Sequence, residues 1–160
     1  MTIQPGDQLP ETQFMTMTKN GPSPLTTTDV FKGKTVALFS LPGAFTPTCS
    51  AQHLPGYKEH AGALQAKGVD LIVCTSVNDV FVLHAWEKQQ GTIGDIQMLA
   101  DGNGDFVKAL GLDFDGSAFG MGVRGQRFSM LVKDGVVAHI NIEEPGEFRV
   151  SSAEFLLEQL

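Results

Sequence analysis

Strand-like and helix-like segments alternate through the middle of this chain and then give way to a hairpin, an order that few architectures satisfy. Thr35 to Ser40 is an apolar β-type run, and Thr48 to Lys67 carries Leu54, Tyr57, Ala61 and Leu64 at helical spacing. Pro55-Gly56 should kink or break that helix. Val69 to Thr75 reads as strand, Asp79 to Gln90 as a helix stopped by Gly91, Ile96 to Ala100 as a short strand, and Gly104 to Leu110 as a short helix. Arg127 to Val132 and Val136 to Ile142 form the arms of a hairpin through Lys133-Asp134-Gly135, because Asp-Gly tolerates the positive φ angles of a tight turn. Thr26-Thr27-Thr28-Asp29 caps a short helix that ends at Gly33, and Ser151-Ser152-Ala153-Glu154 opens the last helix as a Ser-x-x-Glu capping box. Gly21-Pro22-Ser23-Pro24 is expected to be a surface turn, too short to divide domains. Alternation followed by a hairpin predicts an α/β fold, a mixed sheet with helices on both faces, in one domain spanning residues 1–160.

Composition narrows the function classes. With 160 residues, 42% of them hydrophobic, the chain is long enough to bury roughly 70% of its unfolded surface. Its net charge is −7, and 11 Lys+Arg scattered singly give no basic patch, so no nucleic-acid partner is expected. The acidity also repels anionic membranes, and no stretch approaches the ~20 apolar residues that span a bilayer. Met1-Thr2-Ile3-Gln4-Pro5-Gly6-Asp7 has neither the basic region nor the apolar core of a secretory signal. There are 2 cysteines and no C-x-x-C, which points to a reducing, cytoplasmic setting where a cysteine is more often catalytic than structural. The four histidines show no metal-ligand spacing, so neither a metal nor a cofactor is expected. Gly120-Met121-Gly122-Val123-Arg124-Gly125 matches G-x-G-x-x-G but leads into the β-like Arg127-Phe128-Ser129-Met130 instead of a helix, so it is a glycine-rich loop. Asp101-Gly102-Asn103-Gly104-Asp105 starts like a calcium loop, yet Phe106 and Leu112 stand where Gly and Glu are required; it reads as a polar turn capping the next helix.

The chemistry concentrates at Cys49, in Pro42-Gly43-Ala44-Phe45-Thr46-Pro47-Thr48-Cys49-Ser50. It falls where strand hands over to helix, where unpaired N–H groups and the positive end of the helix dipole favour an anion, here the nucleophilic thiolate. A Pro-Gly…Thr-Pro loop is a poor place to bury a side chain, so a reactive cysteine is expected and not a packed one. Cys74, inside the apolar Leu71-Ile72-Val73-Cys74-Thr75, is expected to be a buried, inert thiol.

Pro42-x-x-x-Thr46-x-x-Cys49 resembles the active-site signature of the peroxiredoxins. Cys49-Ser50-Ala51-Gln52-His53-Leu54-Pro55-Gly56-Tyr57, Ser76-Val77-Asn78-Asp79 with Ala85-Trp86, and Arg127-Phe128 are similar to type II (peroxiredoxin V) members. The resemblance spans nearly the whole chain and implies a thioredoxin-like fold and a thiol peroxidase acting on hydrogen peroxide and small organic hydroperoxides. Cleaving a peroxide by thiolate attack needs an ionised sulfur, a peroxide held in line, and stabilisation of the departing oxygen. Cys49 is the candidate nucleophile. Thr46 can turn its hydroxyl toward the sulfur and the peroxide, and Pro42, lacking an N–H, can wall off the site. Arg127 supplies a permanent charge and a fork of donors. Arg124 competes with it on sequence, and the match to Arg-Phe at the start of a strand selects Arg127. His53, about one helical turn from Cys49, could touch the rim, although a histidine on a helix face is more often merely packed or solvated.

The segment Glu147-Phe148-Arg149-Val150-Ser151-Ser152 holds no cysteine. In this respect the chain looks like the one-Cys members, recycled by glutathione or glutaredoxin. The large apolar Phe45 in the loop before Cys49 suggests a contact surface, and the resemblance implies a homodimer packed through that end. A different class stays open: a redox sensor or holdase-like partner protein in which oxidation of Cys49 is a signal. A sensor needs an acidic thiol but no transition-state clamp, which favours the enzyme.

Overall fold

The computed structural model describes residues 1–160. Its chain order is β1 (Gln13–Thr18), β2 (Gly21–Thr26), α1 (Thr27–Phe31), β3 (Thr35–Ser40), a wide turn over Cys49–His53, α2 (Leu54–Glu59), α3 (Ala61–Ala66), β4 (Leu71–Ser76) and α4 (Val80–Gln90). Then come β5 (Gln97–Ala100), α5 (Asp105–Leu110), β6 (Asp113–Asp115), β7 (Val123–Gly125), β8 (Phe128–Lys133), β9 (Val136–Ile142) and α6 (Ala153–Glu158).

Seven strands form one mixed sheet in the order β2-β1-β5-β4-β3-β8-β9. The β3–β4 and β4–β5 pairs are parallel, and β8 runs antiparallel to β3. β3 lies inside the sheet and is covered on both faces, which is why its sequence is continuously apolar instead of alternating. Val36 and Leu38 face a core built with α1 and α5, while Ala37 and Phe39 face a core shared with α2, α3, α4 and α6. The hairpin predicted at Asp134-Gly135 is present, with φ of 50° and 78° at those two residues, the positive pair that a type I′ turn requires. Asp101 caps α5 through its carboxylate, which accepts from the N–H groups of Phe106 (3.0 Å) and Val107 (3.1 Å).

Four local expectations are corrected. Gly21-Pro22-Ser23-Pro24 is not a turn but part of β2, paired antiparallel with β1 through Met17↔Pro22 and Met15↔Pro24. β2 is an edge strand, where a residue without N–H forfeits no bond on the open side. The break in the long helix falls at His60 (φ −97°, ψ 9°), not at Pro55-Gly56. Pro55 instead sits in the first turn of α2, where its missing N–H is not needed, and the turn before it opens to i→i+5, with the Leu54 N–H donating to the Cys49 carbonyl. The last helix is capped by Ser152, whose hydroxyl accepts from Phe155 N (3.2 Å); Ser151 is engaged elsewhere. The glycine-rich stretch around Gly122 contributes β7, which pairs with β6 in a small two-stranded sheet of its own.

Candidate active site

The sheet register builds the site. Ser40, the last residue of β3, pairs with Phe128, the first of β8. The loop leaving β3 toward Cys49 and the residue entering β8, Arg127, are therefore neighbours although they lie far apart in sequence. Arg127 Nη2 donates to Cys49 Sγ at 3.1 Å, and Arg127 Nη1 lies 2.8 Å from His53 Nδ1. The wide turn puts Cys49 and His53 on one buried face; both are fully inaccessible to solvent. The expectation that the Pro-rich loop cannot bury its cysteine is corrected: the i→i+5 turn rolls the sulfur inward, against Arg127.

The loop itself is pinned from several sides. The Ala44 N–H donates to Asn78 Oδ1 (2.9 Å), tying the loop to the end of β4, and Trp86 Nε1 donates to Ser50 Oγ (2.9 Å). Arg124 donates through Nε to the Met121 carbonyl (2.9 Å) and through Nη1 to the Pro42 carbonyl (3.1 Å). Of the two arginines, then, Arg127 meets the sulfur and Arg124 fastens the loop that carries Pro42. A Cβ at Gly43 would stand 2.7 Å from Arg124 Nη1, so a side chain there would displace that guanidinium. Thr46 Oγ1 donates to the Gly43 carbonyl (2.7 Å), so its hydroxyl proton is directed into the loop and its lone pairs are what it offers the site. Phe45, at the loop tip, holds a positive φ of 67° and is 49% exposed.

His53, which the sequence places no more firmly than at the rim, lies inside the candidate site. Its Nε2 lies 3.1 Å from the Ser151 carbonyl, an acceptor only, so Nε2 carries the proton and Nδ1 accepts from Arg127. Burial first, and the Arg127 charge second, hold its pKa down from 6.5 to about 3, against the pull of the Ser151 carbonyl. The unfolded chain protonates near 6.5 while the folded chain stays neutral. Stability from this residue is therefore intact above 6.5 and falls as pH drops toward 3, with a limiting slope of about 1.4 kcal/mol per pH unit. Thermal melts from about pH 7 down to about pH 4 should show Tm falling, and falling less in His53→Gln. An equal fall in both proteins contradicts this account.

Cys74 sits on β4 opposite Phe39 in the same core as Cys49, fully buried. Burial, then the proximity of Cys49, pushes its thiol well above the usual range. Phe39 lies beneath the site, stacked on Tyr57 at a centroid distance of 4.0 Å and tilted toward His53 at 4.9 Å.

The Redoxin family model matches residues 4–157. This chain is a type II peroxiredoxin. Peroxiredoxin-2E, chloroplastic, of Arabidopsis thaliana is 43% identical over 163 residues, covering 99% of this chain and 70% of that protein. Hybrid peroxiredoxin hyPrx5 of Haemophilus influenzae is 44% identical over 163 residues, covering 100% and 67%. Reduced Prx3 from Vibrio vulnificus, solved in complex with H2O2, superposes with a TM-score of 0.95 at 48% identity, covering 99% of both chains. The fold is thus the thioredoxin-like one of the peroxiredoxins, and the peroxiredoxin is a thiol peroxidase. Beside Arg127, Pro42 and Thr48 opens a cleft of about 640 Å³. Phe114, Phe119 and Met121 give it an apolar wall, and Asp115, Glu144 and Glu147 an acidic rim. No helix is long and apolar enough to cross a membrane.

Proposed function

We propose that Cys49 is the nucleophile of this peroxidase, with Arg127, Thr46 and Pro42 completing the site. The observation that carries the reading is the guanidinium of Arg127, fixed on one side by His53 and presented to the sulfur at 3.1 Å on the other. In the reaction the Cys49 thiolate attacks the terminal oxygen of ROOH, which stays with its hydrogen on the sulfur as the sulfenic acid; the O–O bond breaks with its electron pair leaving on RO⁻, and one proton from solvent completes ROH. Arg127 stabilises the thiolate before the step and the charge that builds on the departing oxygen during it. Thr46 Oγ1 accepts a hydrogen bond from the peroxide, the role left to a hydroxyl whose proton is engaged with Gly43. Pro42 closes one wall without competing for hydrogen bonds. The cleft beside Arg127 suits hydrogen peroxide and small uncharged alkyl hydroperoxides: its wall takes an apolar tail and its rim repels an anionic one.

The reductant is an external thiol, glutathione alone or delivered through glutaredoxin. Cys74 is a fully buried strand residue, and no cysteine follows it to resolve the sulfenic acid. A first thiol RSH condenses with Cys49–SOH to give the mixed disulfide and water; a second thiol releases RSSR and restores Cys49. Peroxide plus glutathione should yield one glutathione adduct per chain at Cys49 by intact mass, and peroxide alone only added oxygens there. A Cys49–Cys74 cross-linked peptide, or a Cys49 link between chains, would overturn external resolution. Steady-state peroxide reduction with glutathione, glutaredoxin plus glutathione, and thioredoxin in parallel identifies the donor. The exposed Phe45 is assigned to a homodimer interface, and a cytoplasmic location fits two free thiols.

A further inference from the structure

Glu143 follows β9 and is only 8% exposed, an unusual place for a carboxylate. Its side chain makes no ion pair. Instead three donors converge on Oε2: the N–H of Arg149 (2.6 Å), the N–H of Ser151 (2.8 Å) and the hydroxyl of Ser151 (2.6 Å). Its own N–H donates to the carbonyl of Arg127 at 3.0 Å. We propose that Glu143 is a positioning residue for Arg127, holding its backbone directly and its guanidinium through the Ser151 carbonyl and His53.

The side-chain route follows from donor and acceptor inventory. The carboxylate folds residues 149–151 into a turn that aims the Ser151 carbonyl at the core. That carbonyl accepts from both His53 Nε2 (3.1 Å) and Tyr57 OH (3.1 Å). With its proton committed to Ser151, His53 has only a lone pair to present to Arg127 Nη1. If the turn slides away, His53 loses the partner that selects its tautomer. A proton on Nδ1 would then face a guanidinium N–H, donor against donor, and push Arg127 off the sulfur. Phe148, carried by the same segment, packs 5.9 Å from the Arg127 guanidinium and 5.1 Å from the His53 ring, so displacing the turn also uncovers both. Burial works against the ionised form of Glu143, yet the bonds from Ser151 and Arg149 outweigh it and hold the carboxyl below its ordinary range. The arrangement is therefore a charged acceptor at working pH.

This inference rests on the proposed role of Arg127, and the experiment separates the two. The second-order rate of sulfenic acid formation with hydrogen peroxide is measured beside alkylation of Cys49 by iodoacetamide, which needs no clamp on a departing oxygen. Glu143→Leu removes the acceptor and should slow the peroxide reaction by about tenfold or more, and alkylation, which feels only the lost stabilisation of the thiolate, by clearly less. Glu143→Gln can place its amide oxygen where Oε2 stands and should stay within about threefold of the parent. His53, read by ¹⁵N NMR, should keep the Nε2 proton in the parent and Glu143→Gln and lose that fixed tautomer in Glu143→Leu. Should Glu143→Leu not fold, Glu143→Asp, which keeps the charge but shortens the reach, should show the same two changes at about fivefold. An unchanged peroxide rate in the folded leucine or aspartate variant overturns the inference, as does a loss in alkylation as large as that in the peroxide reaction, or a fixed His53 tautomer throughout. If Arg127→Ala itself leaves the peroxide rate intact, the role of Arg127 fails; if it slows the reaction and Glu143→Leu does not, only the positioning role fails.

Discussion

Cys49→Ser is expected to abolish peroxide reduction, while Cys74→Ser keeps most of it. The two sulfurs share one core but not one chemistry. Cys49 begins the wide turn and receives a hydrogen bond from Arg127 at 3.1 Å. Cys74 is locked in the ladder between β3 and β5, and its thiol is pushed up first by burial and then by the nearby Cys49. A hydroxyl at Cys49 has no nucleophilic anion near neutral pH, so the loss should reach the background of the assay. A hydroxyl at Cys74 is small and can find a strand carbonyl; its cost should be stability, about 1–3 kcal/mol for a buried polar group that is not well paired. Turnover with glutathione and a thermal melt of each variant are sufficient. Loss of turnover in a folded Cys74→Ser comparable to that of Cys49→Ser would return Cys74 to the catalytic cycle and refute its inert assignment.

How much of this was legible in the sequence depends on whether a feature is local. The runs for β3, β4 and β5 and the Asp-Gly hairpin carry their own periodicity and turn chemistry, and each lies within a residue or two of its expected place. The proline-bearing strand β2 did not announce itself, because the fact that permits prolines there is its position at the sheet edge. His53 looked like an ordinary helix-face histidine because its partners lie far along the chain: Ser151 and Arg127 reach it only after β8 and the last helix are in place. The Ser-x-x-Glu pattern pointed to Ser151 as the cap of α6; Glu143, invisible to local pattern, claims that hydroxyl and leaves the cap to Ser152. Burial of Cys49 was missed for a related reason. The loop is polar and rich in turn residues, but the i→i+5 turn ahead of Pro55 redirects its last side chain into the core.

Arg127→Ala is expected to slow the reaction with peroxide by about two to three orders of magnitude, the usual cost of removing one donor aimed at developing charge. One guanidinium serves two partners here. Nη2 meets the sulfur and Nη1 meets His53, so the planar fork is aligned before substrate arrives and little ordering is left for the reaction itself. Arg127→Lys should not rescue it fully, because a single ammonium lacks the geometry to hold both contacts at once. Arg124→Ala is the matched control, since it removes an equal charge from the same stretch of chain. Arg124 touches the carbonyls of Met121 and Pro42 and not the sulfur. Its loss should loosen the Pro42 wall and slow the reaction by roughly fivefold, the worth of about 1 kcal/mol of hydrogen bonding. Stopped-flow oxidation of the reduced protein by hydrogen peroxide reads all three variants on one scale. If Arg124→Ala shows the large loss and Arg127→Ala the small one, the clamp has been assigned to the wrong arginine. If both losses are small, neither guanidinium stabilises the departing oxygen and the proposed clamp fails.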